Sequence, residues 1–300
     1  MGRDSCLVTR RGVCKLLGVG AGAVLAAPFL PKLTKETMNY RLGKLPARNT
    51  VRLKLKDYYT SADLPPLPSG DFGHQNSISD WKMLGNGPDP ANPPGWPHGA
   101  GDCAIAGPFH AIMLWNAVAG KTVNVNTACV LKEYSDITGF NASQPWTDQG
   151  SNAEDVAQHW QATGLTDASG VNHRIDGFVA LEPGNLQELW YATYLFDAVG
   201  IGVNFPGEWM TAFNQGSTWE KLPSPTFEGG HYILSVGRVS GYIDTITWGR
   251  QQLLSPAGYQ QCNDETIAYV SSERLLASGK DLNGFDLKQL LADLAALPSV

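Results

Sequence analysis

Near residue 199 the hydrophobic period of this chain changes, and that change limits the folds open to it. Before it, apolar residues recur at helical spacing over 104–118, 126–136, 152–163 and 186–198. Pro108 should kink the first of these helices or mark its first turn. Asn152 and Asn185 stand where caps belong, and Gly139 and Gly164 stand where helices should end. After residue 199 the runs are short, β-branched and aromatic: "VGIGVNF", "GGHYILSVGRV", "YIDTITWG" and "ETIAYVSS". A last amphipathic helix is expected over 284–297. Helices first and an antiparallel sheet afterwards argue for an α+β fold, with a helical half over 81–205, a β half over 206–275 and a C-terminal helix in 276–300.

The first 37 residues read as something other than fold. Arg10 and Arg11 precede an apolar stretch of twelve residues, 16–27, which is too short to span a bilayer comfortably. With small residues following, this resembles a twin-arginine export signal, cleaved after Ala26. The alternative is a start at Met38. Export to the periplasm or the medium follows from the first reading and a cytoplasmic protein from the second. No stable membrane span is expected once a signal is removed. Residues 38–80 form an irregular arm, in which "VRLKLKDYY" alternates like an exposed strand and "DLPPLPSGDFG" suits neither a helix nor a central strand. Such an arm could occlude a cleft before activation, and no motif speaks to it.

Composition narrows the function classes. A hydrophobic share of 43% with 17% charged residues describes a globular chain, and a net charge of −6 without a dense Lys/Arg patch gives nucleic-acid binding no support. None of the five cysteines forms a CxxC pair and no His stands at zinc-like spacing, so no metal and no cofactor is expected. A Cys129–Cys262 disulfide is compatible with an oxidising compartment.

Two stretches carry chemistry. In "GDCAIAGPFH", Cys103 begins a helix, where unpaired N–H groups and the helix dipole favour a thiolate. A lone cysteine there is equally a small core residue. The adjacent Asp102 would cap the helix, but as an anion it would oppose thiolate formation. In "EGGHYILSVGR", His231 starts a strand behind two glycines, 128 residues after Cys103. The long loop over 86–101, with five Pro and four Gly, leads directly into Cys103. His110 lies two helical turns after Cys103, roughly 10 Å along the axis at about 1.5 Å per residue, and reads as a core histidine. His98 reads as a solvated loop residue that could line a cleft, and His74, His159 and His173 suggest only surface or local roles.

The order of "GDCA", "TDQGSN", "GGHYILSVG" and "TWG" resembles the papain-like cysteine peptidase superfamily over residues 80–275. "WKMLGNG", "YSDITGF" and "DETIAYVS" further resemble a little-characterised group of papain-like proteins in bacteria and phages. The resemblance implies a cleft between a helical and an antiparallel β half, with Cys103 as nucleophile and His231 as general base. It implies a cleft wall at Asp148 and Gly150, and Trp248 as a shield over the site. The family places a Gln several residues before the nucleophile to bind the oxyanion. Here the residue six positions before is Pro97, and of the upstream amides Asn92 and Asn86 the latter is preferred, although it also reads as a turn residue before Gly87. The family's Asn two positions before the Trp, which orients the His, is Ile246 here. By strand alternation Thr247 would face away, while Asp244 shares the face of Ile246 but lies four residues before Trp248, roughly 13 Å at about 3.3 Å per residue. Asp244 is the candidate orienting residue, with Asp264 or a backbone carbonyl as others.

The resulting expectation is a cysteine-dependent hydrolase of peptide or amide bonds acting through a thioester. A catalytically weak or inactive binding module of the same fold, possibly phage-related, and an acyl transferase on the same Cys–His pair are the alternatives.

Overall fold

Most helices described in this chain begin where a short polar side chain can satisfy the first free amides, and one exception matters for the site. The computed structural model describes residues 40–50, 54–55 and 66–274. That exception is α1 (Cys103–Val118), which starts at Asp102 without any side-chain cap. In α2 (Thr127–Thr138) the Asn126 side chain accepts from the Cys129 N–H at 3.0 Å, and the Cys129 sulfur accepts from the Asn126 N–H at 3.4 Å. α3 (Ala153–Ala162) is capped by Asn152 on the Glu154 N–H at 3.0 Å, and α4 (Leu186–Phe196) by Asn185 on the Glu188 N–H at 3.2 Å. Gly139 ends α2 with a left-handed φ of 78°.

The main sheet is antiparallel. It contains β1 (Phe72–Gly73), β4 (Gly177–Leu181), β5 (Val199–Pro206), β6 (Phe227–Val239), β7 (Tyr242–Thr247), β8 (Arg250–Leu254) and β9 (Asn263–Val270). Its strand order is β4-β9-β5-β6-β7-β8, with β1 paired to the far end of β6. A separate two-stranded ribbon joins β2 (Leu165–Thr166) to β3 (Asn172–His173). Two short helices complete the second half, α5 (Gly207–Asn214) and α6 (Pro256–Cys262).

Alternation along β6 divides the core in two. Tyr232, Leu234 and Val236 join α1, α2 and α3 in one apolar cluster, while Ile233 joins α4, α5 and α6 in the other. α1 lies on β6 and is buried on nearly all sides, which explains its continuous apolar sequence. Pro108 is the sixth residue of this helix, past the first turn that it should mark if it did not kink the helix.

The four early helices lie where the period placed them. The sequence did not indicate β4, β8, α5 or α6. β4 is five residues between two helices, β8 reads "RQQLL" without apolar alternation, and the two helices are eight and seven residues long. A Cys129–Cys262 disulfide is not formed: both thiols are free and lie in the two different core clusters. The export-signal reading, Cys6 and Cys14, most of the alternating segment at 51–59 and the helix expected over 284–297 lie outside the described residues. Among the described residues no helix is long and apolar enough to cross a membrane.

Trp115 links α1 to both neighbours. Its ring is stacked on Trp160 of α3 at 5.6 Å between centroids, and its Nε1–H donates to the Phe196 carbonyl of α4 at 2.8 Å. Trp115→Ala should therefore lower unfolding free energy by about 3–5 kcal/mol, through the cavity and the orphaned carbonyl. Urea denaturation followed by circular dichroism would show the shifted midpoint.

Candidate active site

Cys103 opens α1, which packs on β6, the strand that carries His231. The backbone amides of Tyr232 and Gly43 favour the thiolate electrostatically. Tyr232 directly follows His231 in β6, but its side chain joins Cys103 in the α1 cluster, whereas the imidazole faces Phe205 and Trp248 of the other cluster. Cys103 is 1% exposed and His231 fully buried. Burial pushes the Cys103 thiol up to about 12, against the smaller opposing effect of those amides. Burial also pushes His231 down to about 3. Both groups are therefore neutral in this arrangement.

One imidazole nitrogen is held and the other is not. Nε2 stands 2.7 Å from the Thr247 hydroxyl oxygen, while Nδ1 is buried without a hydrogen-bond partner. With Nε2–H donating to Thr247, the lone pair of Nδ1 is left open. Trp248 stacks on the imidazole at 4.2 Å with 17° between planes, and Phe205 meets it edge-on at 5.7 Å.

This geometry reverses the expected roles of Asp244 and Thr247. Leu234 pairs with Ile246, so the next pair along the ladder would set Thr247 across from Ile233, on the face that carries His231. Ile246 faces the α1 cluster instead, and alternation carries Asp244 with it, away from the imidazole. Trp248 returns to the histidine side because β7 ends at Thr247 and Trp248 turns with a left-handed φ of 46°. The Asp244 carboxylate accepts from the Gln251 amide at 3.3 Å and is raised to about 7 by burial. Asp264 is not beside the imidazole either; it is paired with Lys44.

The turn before Cys103 is held from the opposite wall. Asp148 accepts from the Gly101 N–H at 2.9 Å and from the Tyr134 hydroxyl at 2.8 Å, and that hydroxyl accepts from the Gly150 N–H at 2.9 Å. Asp148 thus acts on the wall through hydrogen bonds that tie 101, 134 and 150 together. Asp102 is fully buried with both oxygens unpartnered. Burial first, then the Asp148 charge, pushes its carboxyl well up, which favours the neutral acid and reduces its opposition to a thiolate.

Asn86 is 3% exposed, its Oδ1 is unpartnered, and its carbonyl accepts from the Arg41 N–H at 2.9 Å. Its neighbour Gly85 accepts from the Ala100 N–H at 2.7 Å, which places Asn86 against the run leading to Cys103. Asn92 is already engaged, donating to the Gly87 carbonyl at 2.8 Å. His110 is a satisfied core residue: its Nε2 reaches the Trp81 and Lys82 carbonyls at 2.7 and 3.0 Å. His173, expected near the surface, is buried and paired with Glu273 at 2.9 Å.

The arm expected over 38–80, as one that could cover the cleft, does lie against the site, through its first described residues. Residues 40–50 cross the site as an extended chain. The Lys44 N–H donates to the Gly230 carbonyl at 3.1 Å, the Ser151 N–H to Gly43 at 2.8 Å, and the Leu45 N–H to Ser151 at 2.9 Å. Lys44 is bridged antiparallel to Gly230 and parallel to Ser151. Gly43 lies against Gly101 so closely that a Cβ on it would overlap the Gly101 carbonyl, and a Cβ on Gly150 would overlap the Gly43 carbonyl. Tyr40 packs on Trp248 at 5.0 Å, and beyond the cleft Arg48 pairs with Asp155 of α3 at 2.6 and 2.7 Å. A remaining cavity of about 290 Å³ is lined by this arm, Gly101, Asp148, Gly150 and Gly230.

Comparison with known proteins gives the fold a name. No family model and no curated protein sequence matches this chain. Solved structures do. Xylellain, a cysteine protease from Xylella fastidiosa, superposes with a TM-score of 0.57 at 13% identity, covering 78% of this chain and 97% of its own. Procathepsin L2 from the larval midgut of Tenebrio molitor gives 0.54 at 14% identity over 79% and 81%. Procathepsin B from Trypanosoma congolense gives 0.51 at 12% identity over 76% and 86%. The α+β arrangement of this chain, helices on one side and an antiparallel sheet on the other, is the papain-like fold.

Proposed function

We propose that the protein is a cysteine-dependent hydrolase of peptide or amide bonds, acting through a thioester on Cys103 and latent while residues 40–50 cover the thiol. The observation that carries this reading is the extended peptide already seated across the sulfur, paired on both edges as a substrate chain would be. Once the arm leaves, water returns and the two burial shifts relax. The thiol proton then passes to Nδ1 of His231, and the sulfur attacks the carbonyl carbon. The oxyanion is received by the Cys103 N–H at the head of α1 and by the Asn86 side chain. His231 returns its proton to the leaving amine, and water, deprotonated by the same nitrogen, releases the acid and the thiol. Thr247 keeps the imidazole in the tautomer this needs, and Trp248 keeps it dry. If Arg10 and Arg11 belong to an export signal this activity lies outside the cytoplasm, and if the chain starts at Met38 it lies inside; N-terminal sequencing of the mature protein separates the two.

A second reading is a binding module without turnover. It is favoured by the neutral thiol and by the lack of a hydrogen bond from Nδ1. On that reading Cys103→Ser leaves peptide binding intact and no variant hydrolyses anything. Acyl transfer on the same pair would differ only in the acceptor, seen as amide product when an amine competes with water.

Displacement of the arm should expose the thiol. Gly43→Val cannot seat against Gly101, so Cys103 should react with iodoacetamide at pH 7.5 at least about tenfold faster than in the wild-type chain, and ahead of Cys129 and Cys262. Equal rates would refute latency. In the Gly43→Val chain, Cys103→Ala should abolish hydrolysis. Thr247→Val should lower kcat/KM on the order of 10–100-fold with the fold intact, because the imidazole loses its held tautomer.

Stability should respond to pH through His231. Its folded pKa lies below the ordinary value, so the unfolded chain binds the extra proton. The contribution is fully present above the ordinary value of 6.5 and is lost as pH falls toward about 3. Urea midpoints across that window should fall less steeply in His231→Phe.

A further inference from the structure

Lys44 of the arm sends a charged side chain into the body of the protein. Its side chain is fully buried. The ammonium donates to Asp264 Oδ2 at 2.8 Å and to the Leu45 carbonyl at 2.9 Å, and forms an ion pair with Glu265 Oε1 at 3.0 Å. The space is built into the sheet. Gly202 of β5 pairs with Glu265 of β9, a bulge follows, and a Cβ on Gly202 would overlap the lysine Cε and stand 2.7 Å from Glu265 Cγ. Glu265 is 3% exposed, and its Oε2, like Asp264 Oδ1, is buried without a hydrogen-bond partner.

Two adjacent carboxylates at the start of β9, with unmet acceptors, form a pocket whose negative charge a cation offsets. Leaving it empty or filling it with an apolar chain strands buried anions, which is far costlier than exposing them. The pocket opens one residue from Gly43, which lies against Gly101, two residues before Cys103. A peptide that replaces the arm therefore meets the same two carboxylates.

We infer that the pocket formed by Gly202, Asp264 and Glu265 selects a lysine side chain in the peptide that occupies the cleft, one residue from the position over Cys103, and that Lys44 holds the arm in place by filling it. The inference rests on the reading of the cleft as a peptide-binding hydrolase site, and it names the class of substrate: peptides with lysine beside a small residue.

The test uses the full-length Gly43→Val chain and synthetic peptides of residues 40–50, YRLGKLPARNT, with lysine or norleucine at position 44. Protection of Cys103 from iodoacetamide is the readout. The lysine peptide should protect, and the norleucine peptide should require at least about tenfold more for the same protection. Asp264→Asn with Glu265→Gln should erase that difference. If Gly43→Val does not fold, Lys44→Met in the full chain serves, since it empties the pocket by the same logic. Equal protection by the two peptides would overturn the inference. Lysine-dependent protection without turnover of any lysine-containing fluorogenic peptide would uphold the pocket and sink the hydrolase reading, so the two fail separately.

Discussion

Cys103 reaches the sheet because α1 lies directly on β6, and that contact requires residue 107 to have no side chain. A Cβ on Gly107 would stand 2.9 Å from Cδ1 of the Tyr232 ring. Tyr232 cannot yield, since it is 2% exposed and hydrogen-bonded to the Tyr269 hydroxyl. The helix therefore sits at a fixed height over the strand. One turn earlier its first residue, Cys103, shares the α1 cluster with Tyr232, and one residue earlier on β6 is His231. The same strand register sets Thr247 on the imidazole's face, and the left-handed turn at Trp248 lays the indole over it.

The charge state of the pair follows from what lies above it. With residues 40–50 in place, neither a thiolate nor an imidazolium is solvated, so the neutral forms win. The amides of Tyr232 and Gly43 and the head of α1 act in the opposite direction but are outweighed by burial. Reactivity in this molecule is thus a property of the arm as much as of the two side chains. The arm is held by backbone pairing on both edges, by Lys44 under the sheet and by Arg48 on α3. These are separate anchors, and loosening one weakens the seat of the others.

Much of this was legible locally. Asn126, Asn152 and Asn185 cap the helices they precede because capping needs only neighbours in sequence. Cys103 at a helix start and His231 on a strand behind two glycines pointed to the pair, and their order pointed to the fold. The identity of the histidine's partner was not legible. Counting back from Trp248 assumed that the indole continued the strand, whereas the strand stops at Thr247 and the next residue turns over. The lysine pocket was hidden for another reason: Lys44 and Asp264 are 220 residues apart. A weak signal existed in the glycines at 43, 150 and 230, since glycine in extended segments marks close backbone approach.

The central claim is that Cys103 carries an acyl group with His231 as its base. Mass spectrometry of the full-length Gly43→Val chain quenched in acid after brief exposure to a lysine-containing peptide thioester would test it. A covalent acyl adduct on the Cys103 peptide, lost in His231→Ala, is the expected result. An adduct confined to Cys129 or Cys262, or one unaffected by His231→Ala, would contradict it.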